Sequence, residues 1–193
     1  EVGYEVVSDS VFSKISDTCT PQGVLCVLKQ FHYNIEEMLR DKAPLFLLLE
    51  NIQDPGNLGT MLRTGEGAGV SGIIMSRDTV DLYNPKVIRS TMGSIYRVPF
   101  YYADDFAAAV HQVQQAGVSV YAAHLRGKNS YACQDYTKGT AFLIGNEGNG
   151  LREETAELAD CYIRIPMEGK VESLNAAVAS SILMYEAHRQ RAI

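Results

Sequence analysis

Along most of the chain, short apolar runs alternate with stretches whose apolar positions recur at helical spacing. Leu45–Glu50 (LFLLLE), Gly72–Ser76, Val118–Ala123, Ala141–Ile144 and Tyr162–Ile165 read as buried strands. Gly23–Lys29, behind the turn Thr20-Pro21-Gln22-Gly23, is a further strand candidate, and Arg97–Tyr101 a short extended run. Asn34–Asp41, Asn57–Ala68, Asn84–Gly93 and Asp104–Ala116 carry helical patterns; Ala43-Pro44 ends the first and Gly117 the last. Helical sequence resumes at Leu151 and again at Leu174, the latter with Ser173 at or near its N-cap. This alternation predicts an α/β fold, a mostly parallel sheet with flanking crossover helices. Residues 1 to about 40 lack the rhythm, which sets a boundary near Asp41–Pro44.

Two of these strands end in loops suited to a site built from backbone. Gly145–Gly150 follows one strand with three glycines free to take positive φ, and Pro166–Glu172 follows the other. Side by side at the C-terminal edge of a parallel sheet, such loops line a pocket with N–H and C=O groups, as cofactor-binding enzymes require. Gly67, Gly69 and Gly72 also satisfy G-x-G-x-x-G, but here helical pattern precedes the glycines and a strand follows. A dinucleotide site needs the reverse order, so the glycines are read as a helix C-cap.

Composition narrows the choice. The 193 residues, 46% hydrophobic, suffice for one full core with something attached, and 17 Lys+Arg against 23 Asp+Glu give a net charge of −6. Without a basic excess, any RNA contact must come from a local patch, an oligomer or a further part of the protein. Cys19, Cys26, Cys133 and Cys161 form no CxxC pair and read as buried, reduced thiols, hence a cytoplasmic protein. No apolar run approaches a membrane span. The four histidines are dispersed; His124 alone follows a strand end and could reach a pocket. Ser173 lacks the flanking glycines of a nucleophile elbow.

Three blocks remain: NIQDPGNLGTMLRTGEGAG from Asn51, LIGNEGNGL around Asn146 and Glu147, and IPMEGKVESLNAAVA, with Ser173 and Asn175. In the first, Asp54-Pro55-Gly56 is turn chemistry and Asn57 is suited to cap the following helix. Alone it reads as a cap plus an exposed arginine, Arg63; together, the blocks place polar side chains at three strand ends. They resemble the signature motifs of the SpoU/TrmH family of RNA ribose 2′-O-methyltransferases, within the SPOUT superfamily, from about Leu45 onward. VFSKISDTCTPQGVLCVLK, near the start, resembles the end of an N-terminal substrate-binding domain. Residues 1–42 are then a remnant of that RNA-binding module, lying mostly before Glu1, and residues 43–193 the catalytic domain.

The resemblance implies a C-terminal deep trefoil knot, an exception to the general avoidance of knots. It implies S-adenosylmethionine as cofactor, no metal, and a homodimer whose interface borders the site. Carried over by motif position, Gly145, Ile165 and Leu174 would contact the cofactor, with Ala123 and His124 beside it. Asn57, Arg63, Glu147, Ser173 and Asn175 would be the catalytic residues, with Glu147 orienting Arg63 by a charge-assisted hydrogen bond. By helical spacing, Ala177, Val178, Ser181, Met184 and Tyr185 fall near one face of the last helix, suited to packing in the knot, across a dimer or simply in the core. Ribosomal RNA is the first expected substrate. Transfer RNA, a non-catalytic RNA-binding role and a nucleotide-dependent oxidoreductase are the alternatives.

Overall fold

The structure, a computed structural model, describes residues 3–16 and 18–192. It comprises two compact units, Glu1–Phe31 and His32–Ile193. Within the first, Asp9–Ile15 forms helix α1, capped by the Ser8 hydroxyl, which accepts from the Val11 N–H at 3.4 Å. The expected strand at Gly23–Lys29 is absent; that stretch has no regular secondary structure.

The second unit runs α2 (Ile35–Met38), β1 (Leu45–Leu49), α3 (Pro55–Ala68), β2 (Gly72–Ser76), α4 (Pro85–Thr91), β3 (Phe100–Ala103), α5 (Phe106–Gln115), β4 (Ser119–Ala123), β5 (Asn129–Ser130), β6 (Thr140–Ile144), α6 (Glu153–Ala156), β7 (Cys161–Arg164) and α7 (Ala176–Arg191). Among the described residues, the strands form one seven-stranded sheet in the order β3-β2-β1-β6-β4-β7-β5. Every pairing is parallel. All strand C-termini therefore lie at one edge, where ligands bind open α/β sheets.

The uniform apolar runs follow from burial on both faces. In β1, Leu45, Leu47 and Leu49 enter a core shared with Leu58, Met61 and Leu62 of α3 and Leu183 and Met184 of α7. Phe46 and Leu48 enter the opposite core, with Val110 and Val113 of α5. The last helix departs from the single face expected. Ala177 and Met184 are buried, whereas Val178 and Tyr185, about half exposed, form an outward stripe. None of the cysteines is fully buried: Cys19, Cys26 and Cys133 are exposed and Cys161 half-buried, all free thiols. Gly69 ends α3 in the left-handed conformation, so the G-x-G-x-x-G is the C-cap expected.

Two features lock the C-terminal half together. Ile163 of β7 is paired with Ala123 on one side and Asn129 on the other, so residues 124–128 must cross β7. A Cβ on Gly127 would lie 2.7 Å from the carbonyl carbon of Ile163, so backbone passes against backbone. At the end of α7, Arg191 donates to the carbonyls of Tyr136 (2.8 Å), Ala43 (2.8 Å), Pro44 (3.2 Å) and Lys138 (2.6 Å). It thereby fastens the C-terminus to the entry of β1 and the loop before β6. Arg191→Ala is expected to cost about 2–3 kcal/mol, since hydrogen bonds to charged groups exceed neutral ones and the carbonyls lose a partner. Urea unfolding would show a lower midpoint at unchanged slope.

Candidate active site

The site begins where β1 hands over to α3. The cap of α3 is Asp54, whose carboxylate accepts from the Asn57 N–H at 2.7 Å, and not Asn57 as expected. The Asn57 amide is therefore available for other contacts. Its Nδ2 donates to Glu147 Oε1 at 3.0 Å, and its Oδ1 accepts from Asn175 Nδ2 at 2.9 Å. Asn175, rather than Ser173, caps α7: its Oδ1 accepts from the N–H groups of Ala177 (2.9 Å) and Val178 (3.2 Å). These bonds are mutually consistent. Backbone donors fix Asn175 Oδ1 as acceptor, which makes its nitrogen the donor to Asn57 and leaves the Asn57 nitrogen for the carboxylate.

Glu147 completes the joint between the β1–α3 and β6–α6 loops. Oε2 accepts from the Gln53 N–H at 3.1 Å, and Oε1 also accepts from the Asp54 N–H at 3.0 Å. Burial opposes its ionisation, but the hydrogen bonds from Asn57, Asp54 and Gln53 together outweigh that and hold the carboxyl below its usual range. Its oxygens face these donors and not Arg63, so the expected Glu147–Arg63 bond is absent.

Asn57, Glu147, Ser173 and Asn175 line an open cleft of about 750 Å³, joined by Gln53, Asp54 and Asn146. Ser173 is exposed on its wall. Arg63 is exposed on α3 and lines neither this cleft nor the pocket beside it. The three blocks thus bring together four of the five proposed catalytic residues within one chain.

The neighbouring pocket, about 260 Å³, is lined by Ala123, His124, Gly145, Ile165 and Leu174, with Ile144, Ile163 and Met167 adding apolar surface. Of the loop glycines, only Gly150 takes positive φ, 70°. Gly145 is required by space: an added Cβ would lie 2.2 Å from the carbonyl carbon of Gly150 and the nitrogen of Leu151. The loop folds back on itself through paired backbone bonds between Asn146 and Gly150. Burial, aided by the nearby Arg126 charge, lowers the pKa of His124. Its Nδ1 accepts from the Arg126 N–H at 3.1 Å, which leaves Nε2 to carry the proton of the neutral ring. Asp54 and Gln53 were not singled out from sequence as site residues, although Asp54 sits in the turn that was.

Fold and site define an α/β protein with a small pocket bordering a polar cleft, at the C-terminal edge of a parallel sheet. The chain belongs to the SpoU rRNA Methylase family, whose model matches residues 44–185. It is 35% identical over 180 residues to the 23S rRNA (guanosine(2553)-2′-O)-methyltransferase RlmP of Bacillus subtilis, covering 93% of this chain and 70% of that protein. Among solved structures, it is similar to an AdoMet-bound rRNA methyltransferase from Sinorhizobium meliloti, with a TM-score of 0.85 and 36% identity over 94% of this chain and 70% of that one. It is also similar to the SpoU methyltransferase AviRb of Streptomyces viridochromogenes, with a TM-score of 0.78 and 30% identity. That match covers 82% of this chain, which spans 64% of AviRb.

Proposed function

We propose that this chain transfers the methyl group of S-adenosylmethionine to a ribose 2′-hydroxyl of RNA, with ribosomal RNA the substrate. The observation that carries this reading is a shared wall: Asn146, Glu147, Gly148, Ser173 and Leu174 line both the pocket and the cleft. A cofactor in the pocket and a substrate in the cleft therefore share one border, along which the methyl group and the hydroxyl can come into direct contact. The pocket suits S-adenosylmethionine, with apolar surface from Ile144, Ile163 and Leu174, and backbone brought close by Gly145. Family membership and the RlmP and Sinorhizobium relatives support the same reaction.

When bound, S-adenosylmethionine supplies a methyl already activated on a sulfonium, whose sulfur departs neutral. The chain must align the hydroxyl and ease its deprotonation. The Asn57–Asn175 pair, held rigid by Glu147 and the α7 backbone, fixes the cleft floor, and the Ser173 hydroxyl stands at the shared wall to hold the ribose. The Arg63 guanidinium serves to bind RNA phosphate and to stabilise the developing alkoxide. Because it points outward from α3, it comes into play with RNA or a second copy of the chain. We assign a homodimer bordering the cleft, to which the Val178–Tyr185 stripe contributes; a monomeric mass by light scattering at micromolar concentration would count against it.

The crossing of residues 124–128 over β7, at the end from which the chain continues to α7, is what supports a C-terminal trefoil knot. We assign residues 43–193 to the catalytic domain and residues 1–42 to the junction with an RNA substrate-binding module, of which residues 32–42 belong to the same compact unit as the sheet. We assign the enzyme to the cytoplasm; among the described residues, no helix is long and apolar enough to cross a membrane. Transfer of a labelled methyl group to ribosomal RNA tests this reading. In that assay Arg63→Ala should lose on the order of 10²–10³-fold in rate, as removal of an oxyanion-stabilising donor does. Calorimetry should show its affinity for S-adenosylmethionine unchanged; equal loss of both would make Arg63 a structural residue.

A further inference from the structure

Behind the cleft, a polar network that the scheme above does not use ties together the loops that bear the site. Glu50, directly after β1, is 1% exposed. Its carboxylate accepts from the Arg152 backbone N–H (2.8 Å), from the Arg152 guanidinium (3.4 Å) and from the Thr155 hydroxyl. Arg152 lies just past the Gly145–Gly150 loop, and its second guanidinium nitrogen is paired with Asp78. Asp78 belongs to the β2–α4 loop. Its carboxylate accepts from Ser76 Oγ (2.5 Å) and its carbonyl from the Gln53 amide (2.5 Å), while Ser76 Oγ accepts from the Asn51 N–H (2.8 Å). The Gln53 N–H in turn donates to Glu147. A closed circuit thus runs from Glu50 through Arg152, Asp78 and Gln53 to Glu147, and back along residues 147–152.

The circuit holds an unfavourable conformation in place. Asn51 has φ 54°, left-handed for a residue with a side chain, and its carbonyl accepts from Asn146 Nδ2 at 2.8 Å. Such backbone persists only where the surroundings over-determine it. A buried carboxylate is also a poor means of gaining stability, since desolvation offsets much of what the ion pair returns. This one spans the two loops whose spacing sets the Asn57–Glu147 contact.

We propose that Glu50 and Arg152 are positioning residues for methyl transfer, fixing the β1–α3 loop relative to the Gly145–Gly150 loop. The kinetic part rests on the methyl-transfer reading; the positioning itself is open to a test that does not. Glu50→Gln keeps the shape and can still accept from the Arg152 N–H while losing the charge. Arg152→Lys keeps a charge but cannot span Glu50 and Asp78 as the guanidinium does.

Hydrogen exchange on the whole chain should show the Gln53 and Asp54 amides exchanging on the order of tenfold faster in Glu50→Gln, with Leu47 in β1 unchanged. Arg152→Lys should fall between that variant and the original chain. In methyl transfer, Glu50→Gln should lower kcat by about tenfold alone and by much less when Glu147 is already glutamine, because both changes act on one contact. Unchanged exchange at Gln53 and Asp54, Arg152→Lys indistinguishable from the original, or losses that add independently would each overturn the proposal. If the original chain transferred no methyl group, the methyl-transfer reading would fail and exchange would still decide the positioning.

Discussion

Replacing Glu147 by alanine is expected to lower kcat for methyl transfer on the order of 10²-fold, the loss that accompanies an ångström of misplacement. Among the described residues, the carboxylate is the acceptor for the Gln53 and Asp54 N–H groups and for the Asn57 side-chain nitrogen. Without it these donors turn to water, the β1–α3 loop loosens, and Asn57 no longer presents a fixed face to Asn175. Glu147→Gln is not a mild change here, because an NH₂ group would meet one of the N–H donors head on. A pH signature accompanies the kinetic one. The folded pKa of Glu147 is depressed below its ordinary 4.5, so its contribution to stability is present above that value and is lost as pH falls through the lower folded value. Stability curves of the original chain and Glu147→Gln should therefore converge in acid and separate by neutrality. Parallel curves would show that the carboxylate is not held by these donors.

Gly145→Val is expected to abolish S-adenosylmethionine binding, with affinity lost by at least about 10²-fold, since overpacking of 1–3 kcal/mol adds to the loss of the pocket wall. A Cβ at this position would sit 2.2 Å from backbone atoms of Gly150 and Leu151, and backbone cannot swing aside as a long side chain can. The loop must open, which separates Asn146 from Gly150 and displaces Glu147 from Asn57 at once. Gly169→Val is the control: the nearest atom to its added Cβ is 4.0 Å away, and Gly169 lines neither the pocket nor the cleft. Calorimetry on the two variants should show binding lost in the first and kept in the second. Retention in both would move the cofactor away from this loop.

The sheet was legible in the sequence because central parallel strands are buried on both faces, so that Leu45–Leu49 and Ala141–Ile144 read as uninterrupted apolar runs. The two-residue β5 left no such trace; Asn129–Ser130 becomes a strand only because β7 passes beside it. The caps of α3 and α7 fall on Asp54 and Asn175, beside the residues expected, for one reason. Asp54 and Asn57 both suit an N-cap, as do Ser173 and Asn175, and spacing alone does not choose between them. In the folded chain Asp54 caps α3 and frees Asn57 to pair with Glu147 and Asn175. Asn175 can both cap α7 and donate to Asn57, which leaves Ser173 open on the wall. The motif blocks therefore marked loops that meet at one cleft, while the hydrogen bonding within each depended on contacts across 90 and 118 residues of chain. The Glu50–Arg152 clamp, 102 residues apart, had no signature at all, because a lone glutamate after an apolar run looks like an ordinary strand end.

The most direct test of the account is the position of the transferred methyl group. Ribosomal RNA lacking its own 2′-O-methyl groups would be incubated with this chain and methyl-tritiated S-adenosylmethionine, then hydrolysed with alkali. A ribose 2′-O-methyl group blocks cleavage at its 3′-phosphate, so the account predicts label in an alkali-resistant dinucleotide, dependent on Asn57 and Glu147. Label in a mononucleotide, which would mean transfer to a base, or no transfer to ribosomal RNA with transfer RNA accepted instead, would contradict it.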